Sequence, residues 1–288
     1  MKPKNKTPTH AVFLHGYSSN ADLYIENMAE FARNGAVVLM PDLPGHGRSD
    51  GLLAYVPDWW AFIDQIWEHV ELVVSEECVL DGKSLPIFVS GNSLGGGLAI
   101  CLALQRPTYF RGAILQGPML TVSDEVKPPW IVQMIFKHFI ARLLPTWPLT
   151  PVKSLADFDF RVPTHGPVYE EANPFSMKRT SPFLASGREL GFTFPDWLDE
   201  KLKEVRTPFI VQHGKADKIT EPATSQRLYD EAVATDKTLK LYDGVYHCEL
   251  ICCTPGGAEF TGLTWLPEQV AATQACTKDA VAWVAERV

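Results

Sequence analysis

Leu85-Pro-Ile-Phe-Val-Ser-Gly-Asn-Ser-Leu-Gly-Gly-Gly-Leu-Ala-Ile100 passes from an apolar, strand-forming run into a run of good helix formers. The change occurs across Gly91-Asn92-Ser93-Leu94-Gly95. A serine on so sharp a strand-to-helix turn has strained backbone angles, and neighbouring chain passes too close to tolerate side chains two residues to either side. Glycine at 91 and 95 meets that demand. The five-residue pattern alone arises by chance in about one chain in ten of this length. Its position between a strand and a helix makes Ser93 the candidate nucleophile.

Outward from this turn, short apolar runs alternate with helical patterns. Strands are expected at 11–16, 36–40, 85–90, 112–116, 208–213 and 238–242. Most are continuously apolar, as strands buried on both faces should be. Helices are expected at 55–74, 94–105, 223–234 and 267–286. The first carries Trp59, Trp60, Ile63, Ile66, Trp67 and Val70 with a polar face between them. This alternation predicts an α/β fold, a mainly parallel sheet with helices on both faces. It fails over 119–205, a proline- and aromatic-rich stretch that reads as a mainly helical cap inserted into a core of 1–118 and 206–288. Ligands of open α/β sheets bind beyond the carboxyl ends of the strands, where such a cap would sit.

A serine hydroxyl needs a positioned base. Among eight histidines, His247 follows the last expected strand in Gly244-Val-Tyr-His-Cys248, where a loop can carry the imidazole over Ser93. His213 ends a strand and reads as packing; His15 reads as a support for the loop after the first strand. Asp217, four residues past His213, is the expected acid: it would fix the imidazole tautomer and stabilise the imidazolium. Asp243 and Glu249 are nearer in sequence, but neighbours on one loop rarely point at each other's rings. The oxyanion of an acyl-transfer intermediate needs two N–H donors. Leu94, after the nucleophile, and Tyr17, in the loop after the first strand, are the expected pair.

The bulk properties exclude several classes. With 46% hydrophobic and 21% charged residues and a formal charge of -8, the chain has no basic stripe for nucleic acid. No apolar run reaches the ~18 to 20 residues of a membrane span. The basic start MKPKNKTPTH leads into too short an apolar run for a signal peptide, so the Asn5-Lys6-Thr7 sequon reads as accidental and a cytoplasmic location is expected. The cysteines (Cys78, Cys101, Cys248, Cys252, Cys253, Cys276) lack CxxC spacing, and reduced thiols are expected. Gly95-Gly96-Gly97 is not a dinucleotide fingerprint, and Gly82-Lys83-Ser84 has Glu77 where a P-loop needs glycine. No metal or organic cofactor is expected.

Together, HGYSSN (15–20), PDLPGHGRSDG (41–51), GNSLGG (91–96), HGKADKITEP (213–222) and LYDGVYHC (241–248) resemble the monoglyceride lipase family and its plant lysophospholipase-like and caffeoylshikimate esterase-like relatives. LPTWPLTP (144–151) is similar to the plant branch. The resemblance covers most of the chain. It implies a capped α/β-hydrolase with Ser93, Asp217 and His247 as triad, Tyr17 and Leu94 as oxyanion donors, and no cofactor. The chain departs from the animal enzymes where Tyr17-Ser18-Ser19-Asn20 replaces alanine-glycine-glutamate-histidine. It departs again at Leu250, which stands in place of a second histidine. Those positions belong to the glycerol end, so head-group specificity does not carry across.

Within the cap, 129–145 reads as one helix with a narrow polar stripe at Gln133 and Lys137. Trp130, Ile135, Phe136, Phe139, Trp147 and Phe183 are candidate substrate contacts, lining an acyl tunnel or holding an aromatic acid. The alternatives are a helix packed on the core and an apolar face that dips into a membrane. Lys127, Lys137, Arg142 and Lys153, with no acid between 126 and 154, would turn the cap toward an anionic bilayer. Cys248 beside His247 is either a small buried side chain or an exposed thiol whose alkylation slows the reaction. The expected activity is hydrolysis of lipid monoesters, monoacylglycerol or lysophospholipid, through an acyl-enzyme. Hydrolysis of aromatic hydroxycinnamoyl-type esters, acyl transfer and, distantly, non-catalytic ligand binding are the alternatives.

Overall fold

The computed structural model describes residues 9–77, 79–80, 83–121, 129–149, 158–175 and 183–288. Cys78, Lys127, Lys153 and the Asn5 sequon lie outside them. The chain runs β1 (Thr9–Leu14), α1 (Ile25–Arg33), β2 (Ala36–Leu39), α2 (Trp59–Glu77), β3 (Val79–Leu80), β4 (Lys83–Ser84), β5 (Ile87–Asn92), α3 (Leu94–Gln105) and β6 (Gly112–Gln116). After the insertion come β7 (Phe209–Gly214), β8 (Lys237–Tyr242) and their helices. Six strands form one sheet in the order β2-β1-β5-β6-β7-β8, all parallel. β3 and β4 form a separate antiparallel pair, which the sequence reading did not anticipate.

Burial alternates along each strand. Val12, Leu14, Val89, Ala113, Leu115 and Val211 join the cluster that contains Trp59, Ile63 and Leu98. Phe13, Phe88, Ile114 and Ile210 join the opposite cluster with Met28, Phe31 and Trp283. Side chains on a strand point to opposite faces with period two, so strands buried on both sides carry no polar positions. This is why the runs look continuously apolar in sequence.

Strand boundaries shift by up to two residues from expectation: 11–16 becomes Thr9–Leu14 and 85–90 becomes Ile87–Asn92. Helix α2 begins at Trp59 rather than 55. Pro57 precedes it, and the Asp58 carboxylate caps its first turn by accepting from Ala61 N at 2.8 Å.

The insertion between β6 and β7 contributes no strand among the described residues. Its helices are α4 (Trp130–Ile135), α5 (Ala141–Leu143), α6 (His165–Ala172), α7 (Leu184–Arg188) and α8 (Phe194–Lys201). The helix expected at 129–145 is present but not uniform, since a π-turn at Phe136–Ile140 separates α4 from α5. Phe136, Ala141, Leu184 and Phe192 form a small apolar cluster of the insertion's own. α8 instead enters the main core, with Phe194 stacked on Trp59 at 4.0 Å between centroids. Downstream lie α9 (Pro222–Glu231), α10 (Pro255–Thr261) and α11 (Pro267–Ala285).

Candidate active site

The strand order reverses at β1, where β2 leaves to one side and β5 to the other. A crevice at such a switch point is where open α/β sheets place their sites, and Ser93 follows β5 there. Its backbone sits at φ 56 and ψ -119, a region costly for a residue with a side chain and held only by its surroundings. Those surroundings are specific. Ser93 N donates to Gln116 O at 3.0 Å, and Ser93 O accepts from Met119 N at 2.9 Å. A Cβ on Gly91 would run into the carbonyl of Gly95, and one on Gly95 into the carbonyl of Leu14 at the end of β1. The turn is therefore as tight as the glycine spacing implied. Ser93 makes no side-chain cap to α3, so its Oγ is not tied up at the N-terminus of that helix.

Asp217 and His247 meet although 30 residues separate them. The chains leaving β7 and β8 stay zipped past the strand ends, with Lys215 N on Tyr242 O at 2.9 Å and Ala216 N on Val245 O at 3.0 Å. Gly214 permits this, because any Cβ there would strike the Val245 carbonyl. The His247 Nδ1 to Asp217 Oδ2 distance is 2.6 Å, with both side chains buried. Asp217 Oδ1 accepts from Ile219 N at 2.8 Å and Thr220 N at 3.0 Å, and the Thr220 hydroxyl lies 3.0 Å from Oδ2. Burial raises the carboxyl, but the charge of His247 and the hydrogen bonds from His213 and His247 outweigh it and hold Asp217 well below the usual carboxylate range. Burial pulls the imidazole of His247 down; the charge and hydrogen bond of Asp217, and then the charge of Asp159, more than offset this and raise it. Gly117, at φ 51, lies under the ring: a Cβ there would be 3.3 Å from His247 Cε1.

His213 packs, as expected. Its Nδ1 is 2.7 Å from Ser225 Oγ and its Nε2 3.2 Å from Asp217 Oδ2. His15 supports its loop: Leu43 N donates to Nε2 at 3.0 Å, so the proton is on Nδ1, 2.8 Å from Gly16 O. Burial holds this imidazole down to about 3. The loop passes over the serine, since a Cβ on Gly16 would lie 3.5 Å from Ser93 Cβ. Tyr17 is anchored by its hydroxyl, which donates to Ala54 O at 2.7 Å. Leu94, first residue of α3, is fully buried.

The candidate cap contacts do not share one environment. Phe136 is buried with Phe192, and Phe183 packs edge-on to Tyr55 at 5.2 Å. Trp130, Ile135, Phe139 and Trp147 are exposed, Trp130 by 70%. The insertion grips the core at several points. Ser186 Oγ accepts from Val56 N at 2.8 Å and donates to Ala54 O at 3.1 Å. Asn20 Nδ2 donates to Asn173 Oδ1 at 2.9 Å.

Cys248 is half-buried. Its contact with Cys252, then burial and Asp159, push its thiol well up, which disfavours the thiolate that reactivity needs. Sequence reasoning set Glu249 aside as a neighbour of His247 on one loop; it is fully buried and bound by Arg161 and Gln269. It also missed Asp159 and Thr220 as neighbours of His247. No one-dimensional pattern pairs positions 159 and 247, because only the folded insertion brings them together. Among the described residues no cluster of His, Cys, Asp and Glu would hold a metal ion, and no helix is long and apolar enough to cross a membrane.

The chain is 29% identical to caffeoylshikimate esterase of Arabidopsis thaliana over 81% of this chain and 69% of that protein. It is 27% identical to human monoglyceride lipase over 84% of this chain and 76% of that one. Two solved structures share the fold. One is a soluble variant of the Saccharomyces cerevisiae monoglyceride lipase in complex with a substrate analog, with a TM-score of 0.78 and 19% identity over 100% of this chain and 89% of that one. The other is the Paleococcus ferrophilus monoacylglycerol lipase, with a TM-score of 0.76 and 22% identity over 99% and 98%. The family model described as serine aminopeptidase, S33 (Hydrolase_4) matches residues 6–251. An all-parallel sheet, a strained serine at its switch point and a match over most of the length agree, and the chain belongs to the S33 (Hydrolase_4) family of α/β-hydrolases.

Proposed function

We propose that this protein hydrolyses lipid monoesters, monoacylglycerols or lysophospholipids, with Ser93 as nucleophile, His247 as base and Asp217 as the acid that orients it. The observation that carries this reading is Ser93 at φ 56, at a strand-to-helix turn and accompanied by the buried His247–Asp217 pair. Ser93 attacks the ester carbonyl while His247 takes its proton, and the oxyanion lies between the N–H groups of Tyr17 and Leu94. The alcohol leaves with the proton from His247. Water then hydrolyses the acyl-enzyme by the same route.

The residues 119–205 act in this reading as a cap over the site. Its outer surface supports a lipid substrate over an aromatic one: Trp130, Ile131, Phe139, Leu143, Trp147 and Leu149 are all more than half exposed. Single exposed apolar residues are ordinary, but a contiguous set marks an interaction surface. Lys137 and Arg142 lie on the same helical stretch. We propose that this surface rests on the membrane or micelle that supplies the substrate, a peripheral contact. Flotation with vesicles of neutral and of anionic phospholipid tests it. Anionic vesicles should retain more protein at low salt, and Phe139→Glu should release it from both; retention unchanged by lipid charge, salt and Phe139→Glu would remove the proposal.

The hydrolytic reading is tested on monoolein, lysophosphatidylcholine and a caffeoyl ester, with small activated esters as controls. Hydrolysis of one of the lipids ahead of the caffeoyl ester is expected. Failure on every ester would move the reading to ligand binding.

The pH profile follows from His247. The base acts only when neutral, and its environment raises its pKa above 6.5. The acid limb of kcat/KM is therefore expected to have its midpoint above 6.5, with activity rising as the imidazolium deprotonates. A profile flat from about pH 5 to 9, with chemistry rate-limiting, would contradict the assignment.

A further inference from the structure

Two nearby residues of the insertion grip the loop that carries His247, and they do so differently. Arg161 commits its guanidinium to Glu249, with Nε 3.2 Å and Nη2 3.1 Å from Oε2, and to Gly244 O at 3.0 Å. Asp159 uses its backbone carbonyl to accept from Cys248 N at 3.0 Å. Its Oδ1 accepts from Cys248 Sγ at 3.4 Å. The carboxyl thus lies against the residue that follows His247, within range of the imidazole's field. Among the described residues no lysine or arginine forms an ion pair with it, and the residue is half-buried. Burial pushes it up to about 6, with the charge of His247 opposing and those of Asp217 and Glu170 assisting. Above that pH it is a carboxylate.

Its location gives it a role in selection. The proton that His247 takes from Ser93 passes to the oxygen of the departing alcohol, so that oxygen lies within hydrogen-bond reach of the imidazole. Groups one or two carbons along the alcohol then fall beside the neighbours of His247. A carboxylate there can only accept hydrogen bonds. It suits an alcohol with free hydroxyls and repels one that carries negative charge, at a site where water screens incompletely. We propose that Asp159 selects the head group, favouring esters of neutral hydroxylated alcohols over esters of anionic ones. This rests on the lipid-monoester reading above and narrows it to monoacylglycerols rather than anionic lysophospholipids.

The experiment compares 1-oleoylglycerol with 1-oleoylglycerol 3-phosphate in one detergent, at about pH 7.5 where a carboxyl titrating near 6 is ionised. p-Nitrophenyl butyrate, which has no head group to select, is the reference. Wild type is expected to favour the neutral ester by ~30-fold or more in kcat/KM. Asp159→Asn keeps an acceptor for the Cys248 thiol and should narrow that preference ~10-fold, read as the ratio of the two lipids so that any change in His247 common to both cancels. Asp159→Ser, which removes the charge by a different shape, should narrow it similarly. If both variants hydrolyse the two lipids with the wild-type ratio, the role of Asp159 is overturned and the lipid reading stands. If all three proteins hydrolyse p-nitrophenyl butyrate and neither lipid, the lipid reading fails and the inference fails with it.

Discussion

Ser93→Ala is expected to lower kcat on whichever ester the protein hydrolyses best by at least ~10³-fold, and toward ~10⁶-fold if the triad acts as a unit. The size follows from chemistry: without Oγ no acyl-enzyme forms, and only binding and the oxyanion donors assist direct attack by water. The substitution is also clean. Alanine keeps the Cβ that the φ 56 backbone already accommodates, and the Ser93 hydroxyl caps nothing in α3. The two backbone hydrogen bonds that fix the turn, to Gln116 and from Met119, do not involve the side chain. Thermal melting of the variant should therefore match wild type, which separates lost chemistry from lost fold. Activity within about tenfold of wild type would show that Ser93 is not the nucleophile.

Asp217→Asn should cost ~10⁴-fold in kcat, by analogy of role with other triads. The hydrogen bonds decide which way the amide sits. Ile219 N and Thr220 N both donate to Oδ1, so the asparagine carbonyl must stay there and its NH₂ must face His247. An NH₂ donor requires an acceptor at Nδ1 and so forces the imidazole proton onto Nε2, where the ring can no longer take a proton from Ser93. Losing the negative charge should also lower the His247 pKa, moving the acid limb of kcat/KM to lower pH. A loss smaller than about tenfold would mean that another acid serves. Neither acid nearer in sequence is a ready substitute: Asp243 is exposed and paired with Lys215 at 2.7 Å, and the Glu249 carboxylate is committed to Arg161, Gln269 and Tyr246 N.

Much of the site was legible in the chain because its constraints are local. Gly91 is fixed by a backbone clash within the five-residue turn, and the spacing also announces Gly95, whose clash is with Leu14 at the end of β1. The apolar strands announce a sheet covered on both faces because a period of two with both sides buried leaves no polar positions. The insertion was legible only as a break in that alternation. Its helix at 129–145 follows the local pattern, yet the π-turn at Phe136–Ile140 and the split between buried Phe136 and exposed Phe139 depend on packing against Leu184 and Phe192.

By itself the sequence determined the fold class, the strained serine turn, and His247 and Asp217 as a candidate base and acid in the right chain order. The fold class rests on a burial pattern repeated along single elements, the serine turn on its glycine spacing, and the base and acid on their position after the late strands and the resemblance of their loops. Only the tertiary structure decided that the β7 and β8 loops stay zipped as far as Ala216 and Val245. The same holds for the Arg161 lock on Glu249 and for the Asp159 carboxyl beside His247. These contacts join residues 29 to 89 positions apart. Their energies come from burial and charge created only when the insertion closes onto the sheet, so nothing in the linear order could signal them.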